Sequence, residues 1–264
     1  MSSASGTARF VDQHSPSVPP LLGATDAHVW RIDLTATHLT RSLRPLLSAS
    51  ERARADRFHR AEHADRFVVA HGVLRCILAG YLGESPAELE FQNGEHGKPS
   101  LANAAAAVEF NLSHSGDIAL LAVARGRAVG VDVEQWNDKV EHLAIAERFF
   151  SPAERAVLRG LALERVGHVA GGFFAAWSRK EAYLKATGVG IARGLHHFDV
   201  SLHPDAPAEL LADRLDVDAV ASWSMHALDV GMRYSGALVV RAPVHSLHLF
   251  DASRWQAAGF RAIA

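Results

Sequence analysis

Cysteine is almost absent from this chain: a single thiol, Cys76, among 264 residues cannot close an intramolecular disulfide. That excludes a small secreted scaffold held by cross-links. Cys76 falls within an apolar helical pattern, so a buried thiol in a reducing cytoplasm is expected. An excess of positive charge is also missing, since 27 Lys+Arg stand against 29 Asp+Glu for a net charge of −2. No overall basic field is available to hold a nucleic-acid backbone. Long hydrophobic runs are lacking too; the longest unbroken one, Ile118 to Ala124, falls far short of the roughly 20 residues that cross a bilayer. No membrane span is expected. The first residues lack the charged-then-apolar order of a signal peptide, so no export is expected either. What is present is an ordinary globular balance of 48% hydrophobic and 21% charged residues, enough for one large domain or two small ones.

Residues 1–26 are rich in Ser, Ala, Pro and Gly without periodicity and read as a mobile leader. The alternation in His28-Val29-Trp30-Arg31-Ile32-Asp33-Leu34 predicts a half-buried strand. Ser48-x-x-Glu51 is a capping box that opens a helix. A longer helix follows, with Phe67, Ala70, Leu74, Ile77, Leu78 and Tyr81 at helical spacing, stopped by Gly83. Strands are expected at 88–92, 108–112 and 118–124, the last joined to 128–134 as a hairpin through Arg125-Gly126-Arg127. The second half then echoes the first. Ser151-Pro152-Ala153-Glu154 repeats the capping box, a helix closed by Gly188 repeats the one closed by Gly83, and Phe198 to Val200 and Gly236 to Val240 extend the parallel with strand-like runs. The fold class expected is α+β, with an N-terminal α+β half at 27–134 and a similar C-terminal half at 135–264.

Three clusters carry the candidate chemistry. In Val129-Gly130-Val131-Asp132-Val133-Glu134 the valines share one strand face, so Asp132 and Glu134 project together from the other. Two carboxylates aimed at one place repel unless a cation or proton intervenes, and a hard ion such as Mg²⁺ suits them; an isolated pair of this kind is far more often a solvated strand face. On the helix Gly171 to Thr187, Phe174, Trp177 and Leu184 form an apolar stripe with Glu181 at its edge and Lys185 one turn on. Together these residues supply three carboxylates and a cation, the inventory of metal-assisted phosphoryl transfer. The third cluster, Phe110-Asn111-Leu112-Ser113-His114-Ser115-Gly116, reads as a strand running out into a polar loop able to hold phosphate oxygens. Ser113 or Ser115 as a nucleophile has no supporting elbow motif. His59-Arg60-Ala61-Glu62-His63 spells an inverted zincin motif, but its dense charge reads as a solvated helical face. Gly188 to Gly194 follows a helix and reads as cap and loop.

Taken jointly, Gly97-Lys98-Pro99, the Phe110–Gly116 block, Val129–Glu134 and Trp177–Gly188 resemble the 4′-phosphopantetheinyl transferases, in particular the larger type that activates surfactin synthetase. The resemblance spans roughly Ser48 to Phe198. It implies two similar halves related by pseudo-twofold symmetry, with the cofactor between them. It implies transfer of the phosphopantetheine arm of coenzyme A to a serine of an apo acyl or peptidyl carrier protein, releasing adenosine 3′,5′-bisphosphate, in a cytoplasmic monomer. Asp132, Glu134 and Glu181 resemble the Mg²⁺ ligands, with Glu181 also the general base and Lys185 the cation at the pyrophosphate; Asp132, Glu181 and Lys185 form the implied catalytic set. Ser113, His114 and Lys98 resemble coenzyme A contacts. Where the family often has two cations on the early helix, this chain has Glu51 and Arg54, with Arg52 as a substitute for the 3′-phosphate. The loop 135–150 is the expected carrier-protein contact. The alternatives are a non-catalytic carrier-binding module of the same fold, or another Mg²⁺-dependent transferase acting on a pyrophosphate substrate.

Overall fold

A computed structural model describes residues 7–10, 18–103, 107–164, 166–203 and 206–252. Strands β1 (Ala8–Arg9) and β2 (Asp26–Asp33) precede helices α1 (Thr40–Leu43), α2 (Ala49–Ala55) and α3 (Ala61–Leu82). Five strands follow: β3 (Phe91–Asn93), β4 (Pro99–Leu101), β5 (Val108–Ser115), β6 (Ile118–Arg125) and β7 (Val129–Gln135). Helices α4 (His142–Phe149), α5 (Pro152–Glu164) and α6 (Val166–Thr187) then lead to β8 (Phe198–Val200), β9 (Leu210–Asp213) and α7 (Ala219–Ser222). The order closes with β10 (Trp223–Asp229), β11 (Tyr234–Arg241) and β12 (Ser246–Asp251). The class is α+β, as the sequence predicts.

Two four-stranded sheets dominate, ordered β12-β2-β6-β5 and β1-β10-β11-β7. Each has one parallel pair at its outer edge, β12 with β2 and β1 with β10, and antiparallel pairing elsewhere. Between the sheets lies an apolar layer that includes Val29, Leu120, Ala122, Val131, Leu238 and Val240. On the outer faces, α3 covers one sheet through Val69, Val73 and Ile77 against Leu121 and Val123, and α6 covers the other through Tyr183 and Ala186 against Ala237 and Val239. Covering on both faces explains why β6 is an unbroken apolar run rather than an alternating one. On β7 the valines point between the sheets, so Gly130, Asp132 and Glu134 face α6.

The repeat suspected from the letters has a structural counterpart in the helices. Both capping boxes form: Ser48 Oγ accepts from the Glu51 N–H while Glu51 accepts from Ser48, and Ser151 and Glu154 do the same. Helices α3 and α6 each run 22 residues and end at a left-handed glycine, Gly83 or Gly188. Each capping glutamate then meets a buried cation on its long helix, Arg75 at 2.7 Å from Glu51 and Lys180 at 2.8 Å from Glu154. Both cations also donate to main-chain carbonyls beyond the long helix, Pro86 and Leu89 in one half and Leu195 and Phe198 in the other. Such pairs hold the short helix, the long helix and the following loop together, and their buried charges are compensated on every side.

Five expectations change. The Arg125-Gly126-Arg127 turn does not close a hairpin; it carries the chain from one sheet to the other, so β7 pairs with β11. β7, which a boundary at residue 134 leaves in the N-terminal half, is hydrogen-bonded in the C-terminal sheet. β5 continues through Ser115, so Ser113, His114 and Ser115 are strand residues rather than loop residues. The strand expected at 88–92 starts only at Phe91. Of the segment read as a mobile leader, residues 1–6 and 11–17 lie outside the described residues. Its described remainder is tied to the fold: Ala8–Arg9 pairs with β10, and Leu22 packs into the core under α3.

Candidate functional site

β5 and β7 are the facing edges of the two sheets, and the side chains of β5 bridge the seam at every second residue. Asn111 Oδ1 accepts from the Val131 N–H at 2.8 Å, Ser113 Oγ donates to Asp132 Oδ1 at 2.9 Å, and Ser115 Oγ donates to Glu134 Oε2 at 3.1 Å. Ser115 Oγ also accepts from the Gln135 N–H at 3.0 Å. From the other side α6 brings Lys185, whose ammonium donates to Asp132 Oδ1 at 2.6 Å and to Ser113 Oγ at 2.9 Å. Gly130 permits this approach. A Cβ there would lie 2.2 Å from the Ala182 carbonyl oxygen and 2.3 Å from the Ala186 nitrogen, so only glycine lets α6 settle on the strand.

Electrostatically the site has more acid than base. Asp132 is 2% exposed; burial raises its carboxyl pKa, against the pull of Lys185 and Ser113. Glu134 is pushed up to about 7, first by burial and then by the neighbouring Asp132 charge. Glu181 is raised for the same two reasons in the same order. Asp132 Oδ2 is buried with no hydrogen-bond partner among the described residues. Three carboxyls sharing one ammonium, with an orphaned buried oxygen among them, form a donor set that fits a hard divalent cation.

Two cavities flank the cluster. One, of about 240 Å³, is lined by Lys98, Asn111, Glu181 and Lys185 with the Gly188–Gly190 loop. Lys98 is held in place: its Nζ donates to the Val129 carbonyl at 2.8 Å, and burial lowers its pKa. The other, of about 330 Å³, is lined by Arg54, His63, Arg66, His71 and His114. His114 faces this cavity because it points opposite to Ser113 on β5. Its pKa is lowered by desolvation and then by the cationic surroundings of His71, Lys185 and Arg54.

The sequence-predicted residues therefore divide. Asp132, Lys185 and Ser113 meet in one hydrogen-bonded cluster, with Glu134 held beside it through Ser115 and Glu181 lining the adjoining cavity; Arg54 and His114 share the second cavity and Lys98 borders the first. Ser113 is 7% exposed and spends its hydroxyl inside the cluster, so it does not stand beside His114 in a loop. On α2 the two arginines point apart: Arg54 faces the cavity, while Arg52 turns back onto the Leu47 carbonyl. Glu51 occupies itself with Arg75, His71 and its own cap. In the zincin-like stretch His59 precedes α3, so it does not share a helical face with His63, and Glu62 pairs with Arg66 at 2.7 Å. Asn111, Ser115 and His71 were not assigned these positions from sequence. The alternation Asn111/Ser113/Ser115 matches Gly130/Asp132/Glu134 in period and was the available signal for the first two.

Comparison with known proteins meets this geometry from the other side. The family profile described as "4'-phosphopantetheinyl transferase superfamily" matches residues 128–239, and "4'-phosphopantetheinyl transferase, N-terminal" matches residues 35–126. The chain is 42% identical over 204 residues to 4'-phosphopantetheinyl transferase HetI of Nostoc sp., covering 75% of this chain and 84% of that protein. It is 34% identical over 217 residues to a 4'-phosphopantetheinyl transferase of Bacillus pumilus, covering 82% of this chain and 88% of that one. With 4'-phosphopantetheinyl transferase Sfp of Bacillus subtilis it shares 30% identity over 164 residues, 62% of this chain and 70% of that protein. Two profiles that between them take in β5, β7 and α6, and relatives aligned along most of their length, make this chain an enzyme of the 4′-phosphopantetheinyl transferase superfamily.

Proposed function

We propose that this enzyme moves the 4′-phosphopantetheine arm of coenzyme A onto a serine of an apo acyl or peptidyl carrier protein in a Mg²⁺-dependent reaction. The observation that carries the reading is the Asp132–Ser113–Lys185 cluster with its unpartnered Asp132 Oδ2, set beside Glu134 and Glu181. In this reading Asp132, Glu134 and Glu181 hold Mg²⁺, which when bound supplies positive charge to the pyrophosphate oxygens. The carrier serine oxygen forms a bond to the phosphorus that carries pantetheine. The bond from that phosphorus to the bridging oxygen breaks, and adenosine 3′,5′-bisphosphate leaves. Glu181 takes the serine proton, and its pKa, raised first by burial and then by the Asp132 charge, makes it a stronger base than an ordinary carboxylate. Lys185 supports the charge that gathers on the leaving phosphate. Arg54 and His114 hold the 3′-phosphate end in the larger cavity, and Lys98 contacts the nucleotide side of the smaller one. The α3-covered sheet and the α6-covered sheet frame the cofactor between them, and the segment 135–150 meets the carrier.

Incubation with coenzyme A, Mg²⁺ and a panel of apo carrier proteins, read by intact mass, tests this. A mass gain of one phosphopantetheine on a carrier, abolished by chelation, is the expected result. Carrier binding without any mass gain would instead indicate a non-catalytic module.

A further inference from the structure

Outside the catalytic seam, a second group of metal-binding side chains comes together where β12 joins β2. The parallel register sets His248 directly beside His28, and Asp26 stands two residues before His28 on the same strand face. One ligand atom from each of Asp26, His28 and His248 lies within 4.8 Å of the others. The two imidazoles meet edge to face at 5.1 Å between centroids. His28 is 1% exposed, whereas His248 is open to solvent, so the group has a closed inner side and an accessible outer one.

The surroundings of His28 fit a ligand more closely than an ordinary core histidine. Its Nδ1 lies 2.7 Å from the Tyr81 hydroxyl, which also accepts from Trp30 Nε1 at 2.9 Å. A phenol oxygen has two lone pairs, so it can accept from Trp30 and from an Nδ1–H together, leaving the Nε2 lone pair for a cation. Fixing one ring nitrogen through a hydrogen bond so that the other can ligate is the usual outer support of a metal-bound histidine. Asp26 Oδ2 accepts from the Gly23 N–H at 2.9 Å, which holds the carboxylate in place without using up its acceptor capacity.

We propose that Asp26, His28 and His248 bind a borderline transition-metal dication of the Zn²⁺ class, clipping β12 to β2. The nitrogen donors select against Mg²⁺, which prefers an all-oxygen shell, so this site and the all-carboxylate cluster at Asp132 sort two different metals. Three protein ligands leave a fourth position on the solvent side for water or an exchangeable group.

The test uses the full chain with Mg²⁺ in excess and Zn²⁺ as the probe, comparing the unmodified protein with His248→Ala and, separately, Asp26→Asn. His248 is exposed but its ring packs on His28 and Phe250, so each variant's Zn²⁺-induced shift is read against its own metal-free melting. The unmodified protein is expected to take up one more equivalent of Zn²⁺ than either variant by calorimetric titration. Its melting temperature should rise with Zn²⁺ while that of the variants rises less, because a ligand bound only to the folded state stabilises it by mass action. Replacing Zn²⁺ by Co²⁺ should give a visible absorption band that His248→Ala loses. Identical Zn²⁺ stoichiometry and identical melting shifts in all three proteins would overturn the proposal.

Discussion

The two long helices have the same length, the same kind of end and the same kind of buried ion pair, yet only α6 brings a cation into the carboxylate seam. Aligned so that Arg75 meets Lys180 and Gly83 meets Gly188, they set Cys76 opposite Glu181 and Gly80 opposite Lys185. Cys76 is buried and its thiol is pushed up to about 12, chiefly by burial. Gly80 lies close against Pro19. Their counterparts on α6 point into the carboxylate seam. The comparison teaches that the capping box, the buried ion pair and the left-handed cap make the scaffold, while a few substitutions on one helix face and one strand make the site. The scaffold tolerates either filling.

That comparison can be broken sharply at Gly130, which has no counterpart on the glycine-free β2. Gly130→Ala drives a methyl group into the α6 backbone, so a stability loss of about 3 kcal/mol or more is expected in denaturant titration, at or above the usual cost of overpacking. A variant that melts like the parent would show that α6 can lift off β7 freely. Next come the paired cations. Lys180→Met leaves Glu154, 2% exposed, without its cation, and a loss of about 3–5 kcal/mol is expected. Arg75→Met should cost less, about 2–3 kcal/mol, because Glu51 is 14% exposed and keeps His71. Equal losses would make the two ion pairs equivalent supports and weaken the asymmetry.

Asp132→Ala separates chemistry from scaffold. Carrier modification should fall on the order of a hundredfold or more, the scale of several kcal/mol that a bound metal contributes, with melting little changed. A variant of near-parental rate at limiting Mg²⁺ would remove Asp132 from the metal set. The smallest effect concerns pH, and the two halves should differ in sign. Glu134 rises from 4.5 to about 7 on folding, so the metal-free folded state holds a proton that the unfolded chain has lost across that window. Its contribution to stability is therefore present below pH 4.5 and lost as pH rises toward 7, and Glu134→Gln should flatten that fall. Glu51 behaves oppositely: burial alone would raise it, but His71, the Ser48 N–H and Arg75 prevail and hold it at about 2. Its contribution is present above 4.5 and disappears as pH drops toward 2. Melting curves of the two Gln variants between these limits, without Mg²⁺, decide whether the signs differ.

Much of this was legible because strong local signals agree with the fold. Capping boxes, helix spacing, terminal glycines and the valine alternation in β7 each act over a few residues. The paired carboxylates were legible for the same reason, since strand period fixes Asp132 and Glu134 on one face. The sheet exchange at Arg125-Gly126-Arg127 was not, because a two-strand turn and a crossing between packed sheets carry the same turn letters. Ser113 and Ser115 were misread as loop because polar residues at strand period lose their meaning unless the facing edge is known. The Glu51–Arg75 and Glu154–Lys180 pairs span more than twenty residues, and no local periodicity reports a contact at that separation.

The outer edges of the two sheets carry a consequence for how the chain is made. β2 pairs on one side with β12, whose Asp251 meets Arg31 from 220 positions further along. A ribosome therefore releases β2 long before its outer neighbour exists, and the nascent first sheet waits with an unpaired backbone edge open to other chains. Closing so long a loop is slow rather than costly, because the entropic charge grows only logarithmically with length. Fast elongation through 129–245, or a chaperone over β2, should therefore limit aggregation of this protein more effectively than any added stability in its finished core.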